Sequence, residues 1–311
     1  MTQALKTAIG NYGITRALKD GGVRGGPPLS QIEVSPITAA MRRMVRTLEF
    51  DVCEMAFTTY LCAVALGKPI LAIPVFVTRN FHHWALFKNA KAGIESPKDL
   101  EGRVVGVNRG YTVTTGLWAR GMLRDEYGVD LERITWAPTD DEHVAEYKAP
   151  ANVDYSFRGR PLPDLLASGE IGAAIGDIRS DSPDIKPLVP DARNAGFEYY
   201  RRTGVYPINH GIVVRTDLLR ANPGLARELF EAFKASKSAY LARLREGRDL
   251  SPADQNALDL GRVVGGDPFP FGVSANRPAL ETMVRFAVEQ HVIPKPIPVE
   301  DLFSPETLAL E

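Results

Sequence analysis

Short apolar runs alternate along this chain with longer stretches whose apolar positions recur at helical spacing, the pattern of strands interleaved with helices. Residues 5–9 read as a first strand. It ends in Gly10-Asn11-Tyr12-Gly13-Ile14-Thr15-Arg16, glycines and an aromatic that suit a loop at the carboxyl edge of a sheet, where α/β ligands bind. A Gly/Pro-rich connection over residues 21–28 leads to a second strand at residues 32–34. Ser35-Pro36 opens a helix, along which Ile37, Met41, Met44, Val45 and Leu48 fall at helical spacing. Residues 51–57 form a third strand, with Glu54 an acid inside an apolar run. Such an acid points to a polar face or pairs with an arginine more often than it faces a ligand. Thr58-Thr59 cap the next helix, which runs through Leu66 and stops at Gly67.

Residues 70–77 read as a buried strand that changes character within a few positions. Arg79, His82 and His83 arrive between Phe81 and Trp84. A strand that leaves one core and enters titratable chemistry directly suits a hinge beside a ligand cleft; the plainer alternative is an edge strand with a solvated end. A histidine pair in an extended segment points to opposite faces, so at most one of His82 and His83 sees a cleft. Strands at 84–87 and 103–107 follow, the second after a capped turn, Ser96-Pro97-Lys98-Asp99-Leu100. Asn108-Arg109-Gly110-Tyr111-Thr112-Val113-Thr114-Thr115 then precedes a helix to Tyr127 that Gly128 ends. Hydroxyls and free N–H groups at a helix N-terminus make an anion site, so Thr112, Thr114 and Thr115 are candidate binders against the alternative of an ordinary threonine cap. Asp140-Asp141-Glu142-His143 reads as a solvated acidic loop rather than a metal site. A helix at 161–168 and strands at 134–137 and 171–175 complete the middle of the chain. Arg179, just beyond the last of these, either faces a cleft or caps its loop. After a strand at 211–215 the chain is mostly helical. Its long amphipathic helix starts at Asn222-Pro223 and carries Leu225, Leu229, Phe230, Phe233 and Tyr240; another spans 280–289.

This alternation gives an α/β class. Apolar units from both chain ends flank a middle one. Residues 1–78 and 207–311 are therefore expected to form one discontinuous lobe and residues 79–206 an inserted second lobe, with the ligand cleft between lobes. The 311 residues suffice for two domains of ordinary size. A net charge of −1 gives no reason to expect a nucleic-acid partner, and no apolar run is long enough to span a membrane. Cys53 and Cys62 sit in apolar sequence without metal-ligand spacing and are expected to be reduced. The N-terminus lacks the long apolar core of a secretory signal, which sets a cytoplasmic expectation.

Several pieces spread over most of the chain go together. They are Ala8-Ile9-Gly10-Asn11-Tyr12 with Arg16, Phe50-Asp51-Val52-Cys53-Glu54, and Ile73-Pro74-Val75-Phe76 with Arg79 and His83. Others are Ser96-Pro97-Lys98-Asp99-Leu100, Thr203-Gly204-Val205-Tyr206-Pro207-Ile208-Asn209-His210 and Ala275-Asn276-Arg277. In these the sequence resembles the 4,5-dihydroxyphthalate decarboxylase family, whose fold is similar to that of type 2 periplasmic binding proteins.

The resemblance implies a small aromatic carboxylate substrate and a carboxy-lyase that converts 4,5-dihydroxyphthalate to protocatechuate and CO2. It implies that Arg16, Arg79 and Arg179 grip carboxylates through the guanidinium fork, with Tyr12, Thr112, Thr114 and Thr115 adding contacts. His83 or His210 then supplies a proton to the ring, and Glu54 accepts from a phenolic hydroxyl or orients a histidine. Glu54, His83 and His210 are also ligand types for zinc or manganese, yet no spacing specifies a site and none is expected. The absence of a Gly-rich nucleotide loop sets the expectation of no organic cofactor. A solute receptor that clamps an aromatic carboxylate without chemistry is the competing reading, and an enzyme of another reaction type on this scaffold is a third. Homo-oligomer formation is left open.

Overall fold

The computed structural model describes residues 4–311. From the N-terminus the chain forms β1 (Leu5–Ala8), α1 (Gly13–Lys19), β2 (Leu29–Gln31), α2 (Ile37–Thr47), β3 (Val52–Ala56), α3 (Phe57–Ala65) and β4 (Ile70–Arg79). The middle supplies β5 (Leu86–Asn89), β6 (Val104–Val107), α4 (Thr114–Tyr127), β7 (Thr135–Pro138), α5 (Leu162–Ser168), β8 (Ala173–Ile175), β9 (Ile185–Pro187) and α6 (Ala192–Thr203). The chain then gives β10 (Ile208–Arg215), α7 (Thr216–Ala221), α8 (Leu225–Glu246), α9 (Pro252–Val264) and α10 (Arg277–Glu289).

These elements divide into two units. The first holds the residues through Arg79 together with Ile208–Glu281 and Ile297–Glu311; the second holds Asn80–Pro207 and Thr282–Pro296. Thr282–Pro296 thus departs from the sequence division, which gave 207–311 to one lobe as a block. The far end of α10 joins the second unit through specific packing. Phe286 sets its ring edge-on to Trp118 of α4 at 5.6 Å. It fills the space left by Gly121, where an added Cβ would lie 2.1 Å from the Phe286 ring. An apolar stripe on a helix shows that one face is buried, not which core receives each end.

The first unit carries a five-stranded sheet in the order β2-β1-β3-β10-β4. β1 runs parallel to β2 and β3, and β10 runs antiparallel to both β3 and β4. Val52, Ile73, Ile212 and Val214 from the sheet pack with Leu225, Leu229, Phe230 and Phe233 of α8. Burying such side chains contributes about 1.5–3 kcal/mol each. The second unit repeats the plan in the order β7-β6-β8-β5-β9, with β6 parallel to β7 and β8, and β5 antiparallel to β8 and β9. Its core includes Leu162, Leu165 and Leu166 of α5 with Ile171 and Ala174. No helix among the described residues is long and apolar enough to cross a membrane. Cys53 and Cys62 are buried and not joined in a disulfide.

Local expectations hold for most elements and fail at four. The second strand is Leu29–Gln31 rather than 32–34, because its register is set by pairing with Leu5, Lys6 and Thr7 of β1. Helix α3 starts at Phe57 with Ala56 at its N-cap position, so Thr58 and Thr59 are buried inside its first turn; β3 runs straight into the helix. Residues 83–85 form a 3-10 turn ahead of β5, not the start of a strand. The acidic run at 140–143 is not wholly solvated: Glu142 is buried.

Helix α9 depends on a buried acid. Ser251 and Asp254 form a capping box, and Asp254 also accepts from the Tyr240 hydroxyl at 2.7 Å and from Arg243 at 2.6 Å. The hydrogen bond from Arg243 is the main reason that its carboxyl lies well below the usual carboxylate range, against the opposing effect of burial. A lowered folded-state pKa stabilises fully above the unfolded value of about 3.9, and that contribution is lost as pH falls toward the folded value. Asp254→Asn is expected to cost about 1–2 kcal/mol at neutral pH. Thermal unfolding followed by circular dichroism should show this gap narrowing steadily below pH 4.

Candidate functional site

The order of strands in the first sheet assembles a cluster that the linear sequence scatters. β3 lies between β1 and β10, so a side chain on β3 reaches the loop after β1 on one side and β10 on the other. Glu54 uses both. Its fully buried carboxylate accepts from the Gly10 N–H at 2.7 Å and the Tyr12 hydroxyl at 2.8 Å, and lies 2.6 Å from Nδ1 of His210. The sheet register explains the last contact. His210 pairs with Ala56 and Ile212 with Glu54, which puts Glu54 and His210 on one face as diagonal neighbours. On its other side β10 pairs with β4 through a run of register shifts from Ile208 to Ile212, and such bulges re-aim side chains.

Gly10 makes room for this arrangement, since an added Cβ would lie 2.6 Å from the Tyr12 ring. Burial, then the charge and hydrogen bond of Glu54, push the Tyr12 hydroxyl well above its ordinary range, so it remains a donor. With Glu54 as acceptor, Nδ1 of His210 carries a proton and Nε2 is the nitrogen free to exchange one. The His210 side chain is 19% exposed. Glu54 therefore pairs with an imidazole and a phenol, not with the arginine or polar face expected from its sequence. Tyr12, a sequence candidate for substrate contact, directs its hydroxyl to Glu54. It also lines a cavity of about 680 Å³ with Asn11, Arg16, Lys19 and Arg243.

The nominated arginines have separate surroundings. Arg16 is exposed and lies 3.6 Å from Asp20, a weak pairing one helical turn away. Arg79 is buried at the end of β4. It donates to the Asn276 side chain and to the Pro270 carbonyl, and its guanidinium lies 5.2 Å from the Phe76 ring. Asn276 also holds the Pro270 and Gly272 carbonyls, so Arg79 pins the Gly/Pro loop to the sheet. Arg179, in the second unit, is exposed beside Asp177 at 3.4 Å.

In the second unit His82 and His83 are both buried, because the 3-10 turn replaces the extended segment in which they were expected to diverge. Nε2 of His83 lies 2.6 Å from Glu126, whose other oxygen pairs with Arg202, and the Tyr199 ring stands edge-on at 5.8 Å. Nδ1 of His83 is buried without a hydrogen-bond partner. In the loop before α4, where an anion site was expected, Tyr111 and Thr112 bind the protein's own Glu142 carboxylate. Glu142 accepts from the Tyr111 N–H at 2.5 Å, the Thr112 N–H at 3.0 Å, the Thr112 hydroxyl at 2.6 Å and the Tyr155 hydroxyl at 2.8 Å. Thr114 is buried at the first position of α4 and Thr115 is half-buried beside it. Sequence reasoning missed Glu142 because its acidic neighbours masked it; Tyr111 and Thr112 carry the donors, and only the fold shows what they face. Among the described residues no group of three or more His, Cys, Asp or Glu side chains is placed to hold a metal ion. Glu142→Ala leaves four donors without their acceptor. The variant is expected to lose about 2–4 kcal/mol of stability. Hydrogen exchange at the Tyr111 and Thr112 amides should accelerate by tenfold or more.

Comparison with known proteins gives this geometry its context. The family model described as NMT1/THI5 like matches residues 38–243. The chain is 33% identical over 308 residues to the 4,5-dihydroxyphthalate decarboxylase of Comamonas testosteroni, covering 92% of this chain and 91% of that protein. It is 31% identical over 212 residues to the protein of the same name from Pseudomonas putida, covering 63% of this chain and 81% of the other. Among solved structures it superposes on the periplasmic aliphatic sulphonate binding protein SsuA from Escherichia coli with a TM-score of 0.54 at 13% identity, covering 98% of this chain and 92% of that one. The two mixed five-stranded sheets with their helices are thus a periplasmic-binding-protein fold. The chain belongs to the NMT1/THI5-like family and is a homologue of proteins named 4,5-dihydroxyphthalate decarboxylase.

Proposed function

We propose that this protein is a carboxy-lyase acting on a hydroxylated aromatic dicarboxylate, with 4,5-dihydroxyphthalate going to protocatechuate and CO2 as its reaction. The observation that carries this reading is the His210–Glu54 pair, an imidazole anchored at one nitrogen by a fully buried carboxylate and partly exposed at its side chain. The names of the homologues supply the substrate class.

The chemistry asks for a proton donor at carbon. Breaking the ring–carboxylate bond directly leaves its electron pair on a ring carbon, which is costly. A hydroxyl para to the leaving carboxylate offers another route. It pushes electron density onto the carbon that bears the carboxylate, and that carbon takes a proton as the phenol becomes dienone-like. The C–C bond then breaks, its electron pair restores the aromatic ring, CO2 leaves and the oxygen regains its proton. No oxidant or reductant is consumed. Nε2 of His210 delivers the ring proton, and Glu54 holds the ring of His210 in the required tautomer. Tyr12 and the Gly10 N–H fix Glu54 in turn. His83 is the less suitable donor, because its side chain is only 1% exposed and its Nε2 is committed to Glu126. Of the arginines nominated for carboxylate binding, Arg16 shares a cavity with Tyr12, whereas Arg79 is committed to Asn276.

Incubation with 4,5-dihydroxyphthalate, followed by chromatography of substrate and protocatechuate with and without chelator, tests the reaction. In heavy water the product should carry one deuterium at the vacated carbon. His210→Asn is expected to lower kcat by about 10²–10⁴-fold, the usual range for a general acid. His83→Gln is expected to retain most turnover in the fraction that folds. Normal turnover in His210→Asn removes that residue from the mechanism, and binding without turnover in the wild type indicates a receptor.

A further inference from the structure

We infer that Thr15 and Lys19, one turn apart on α1, are positioning residues that act on His210 through Glu54. The inference rests on the proposed function for the role of His210 as proton donor. The clamp itself is argued from the first unit alone.

The hold on Glu54 has two points. Oε2 accepts from the Gly10 N–H at 2.7 Å, whereas Oε1 accepts from the Tyr12 hydroxyl at 2.8 Å and lies 2.6 Å from Nδ1 of His210. The Gly10 bond to one oxygen therefore fixes the plane that aims the other at the imidazole. The Gly10 and Tyr12 donors come from one short loop between β1 and α1, so the placement of that loop decides where the carboxylate stands.

Thr15 is the first support of the loop, and it is fully buried. A hydroxyl has one proton to give and can accept as well. That of Thr15 donates to the Gly10 carbonyl at 2.8 Å and accepts from the Tyr12 N–H at 3.0 Å; the Tyr12 carbonyl is a longer alternative at 3.2 Å. One side chain thus ties together the two residues that supply Glu54 with donors. Capping of α1 accounts for the bonds to Tyr12, which is its N-cap. It does not account for the bond to Gly10, whose carbonyl lies ahead of the cap and outside the helix.

Lys19 is the second support. Helical side chains lean toward the N-terminus of their helix, so the end of α1 reaches back to the loop that enters it. The Lys19 side chain is 8% exposed; its ammonium donates to the Ile9 carbonyl at 3.1 Å and pairs with Glu33 at 2.6 Å. The Ile9 carbonyl and the Gly10 N–H belong to one planar peptide group. Lys19 therefore holds one end of the group whose other end binds Glu54, and a donor on the carbonyl strengthens the N–H as a donor in turn. Glu33 balances the charge of Lys19, so the effect on Glu54 travels through the peptide group and not as net charge.

Thr15→Val deletes the hydroxyl at nearly constant shape, Lys19→Met deletes the ammonium and keeps the stem, and Thr15→Ser restores the hydroxyl. Nitrogen NMR of the full chain labelled at histidine reads the His210 tautomer directly, with the resonance assigned by its loss in His210→Asn and the pH set where the ring is neutral. Wild type should carry the proton on Nδ1. Thr15→Val and Lys19→Met should each move population toward the Nε2–H form, since the hydrogen bond at one nitrogen sets the tautomer, and Thr15→Ser should return the wild-type signal. In the folded fraction of the first two variants, kcat for 4,5-dihydroxyphthalate should fall by about tenfold or more, with KM within about twofold of wild type. A role confined to stability lowers the melting temperature and leaves the tautomer alone. An unshifted tautomer in both variants overturns the inference, as does a wild type with its proton on Nε2; an unshifted tautomer in one variant removes that residue. Should Thr15→Val not fold, Thr15→Ala and Lys19→Met carry the same test. Shifted tautomers with no turnover in wild type keep the clamp and remove the decarboxylase reading, whereas turnover with unshifted tautomers does the reverse.

Discussion

A carboxylate sealed from water must find donors or lose its charge, and Glu54 organises the first unit around that requirement. Desolvating an ion costs several kcal/mol, which only well-placed hydrogen bonds offset. Glu54 meets the cost with a backbone N–H, a phenol and an imidazole drawn from three separate segments. Each donor is thereby held in place. The loop after β1 is tied to β3, the Tyr12 ring lies over Gly10, and His210 presents its second nitrogen on a fixed ring. Removing any one partner leaves a buried charge short of a donor, so the stability of the first unit depends on these bonds.

The second unit solves the same problem with different residues. Glu142 is also buried, and it too takes backbone and hydroxyl donors from the loop that follows the first parallel strand of its sheet, here Tyr111 and Thr112 after β6. The hydroxyl of Tyr155 faces it, where the imidazole of His210 faces Glu54. The two carboxylates thus have similar backbone cradles and different side-chain partners. Glu54 is coupled to an imidazole, whereas Glu142 is coupled to the hydroxyls of Thr112 and Tyr155, burial and Glu142 itself having pushed the Tyr155 hydroxyl well above its ordinary range.

The arginines show how far residue type falls short of role. Arg79 matches a family motif and has the guanidinium that a diacid calls for, yet it is spent on Asn276 and the Pro270 carbonyl. Asn276 lies in another matching piece, so two motifs that were read as separate meet as one structural contact.

Local sequence determined the α/β class, most strands and helices, and the glycine stop at Gly128, because periodicity and backbone freedom act over a few residues. The family resemblance, not the local pattern, named Glu54 and His210 as candidates for the chemistry. It did not place them together, for they stand 156 residues apart and meet only through strand order and register. Nor did it assign the end of α10 to the second unit, where Gly121 leaves room for Phe286. Which polar group faces which, and which core receives a given apolar face, are properties of long-range packing. Tertiary structure decided them because a side chain's partner is set by the neighbouring strand or helix, not by its neighbours along the chain.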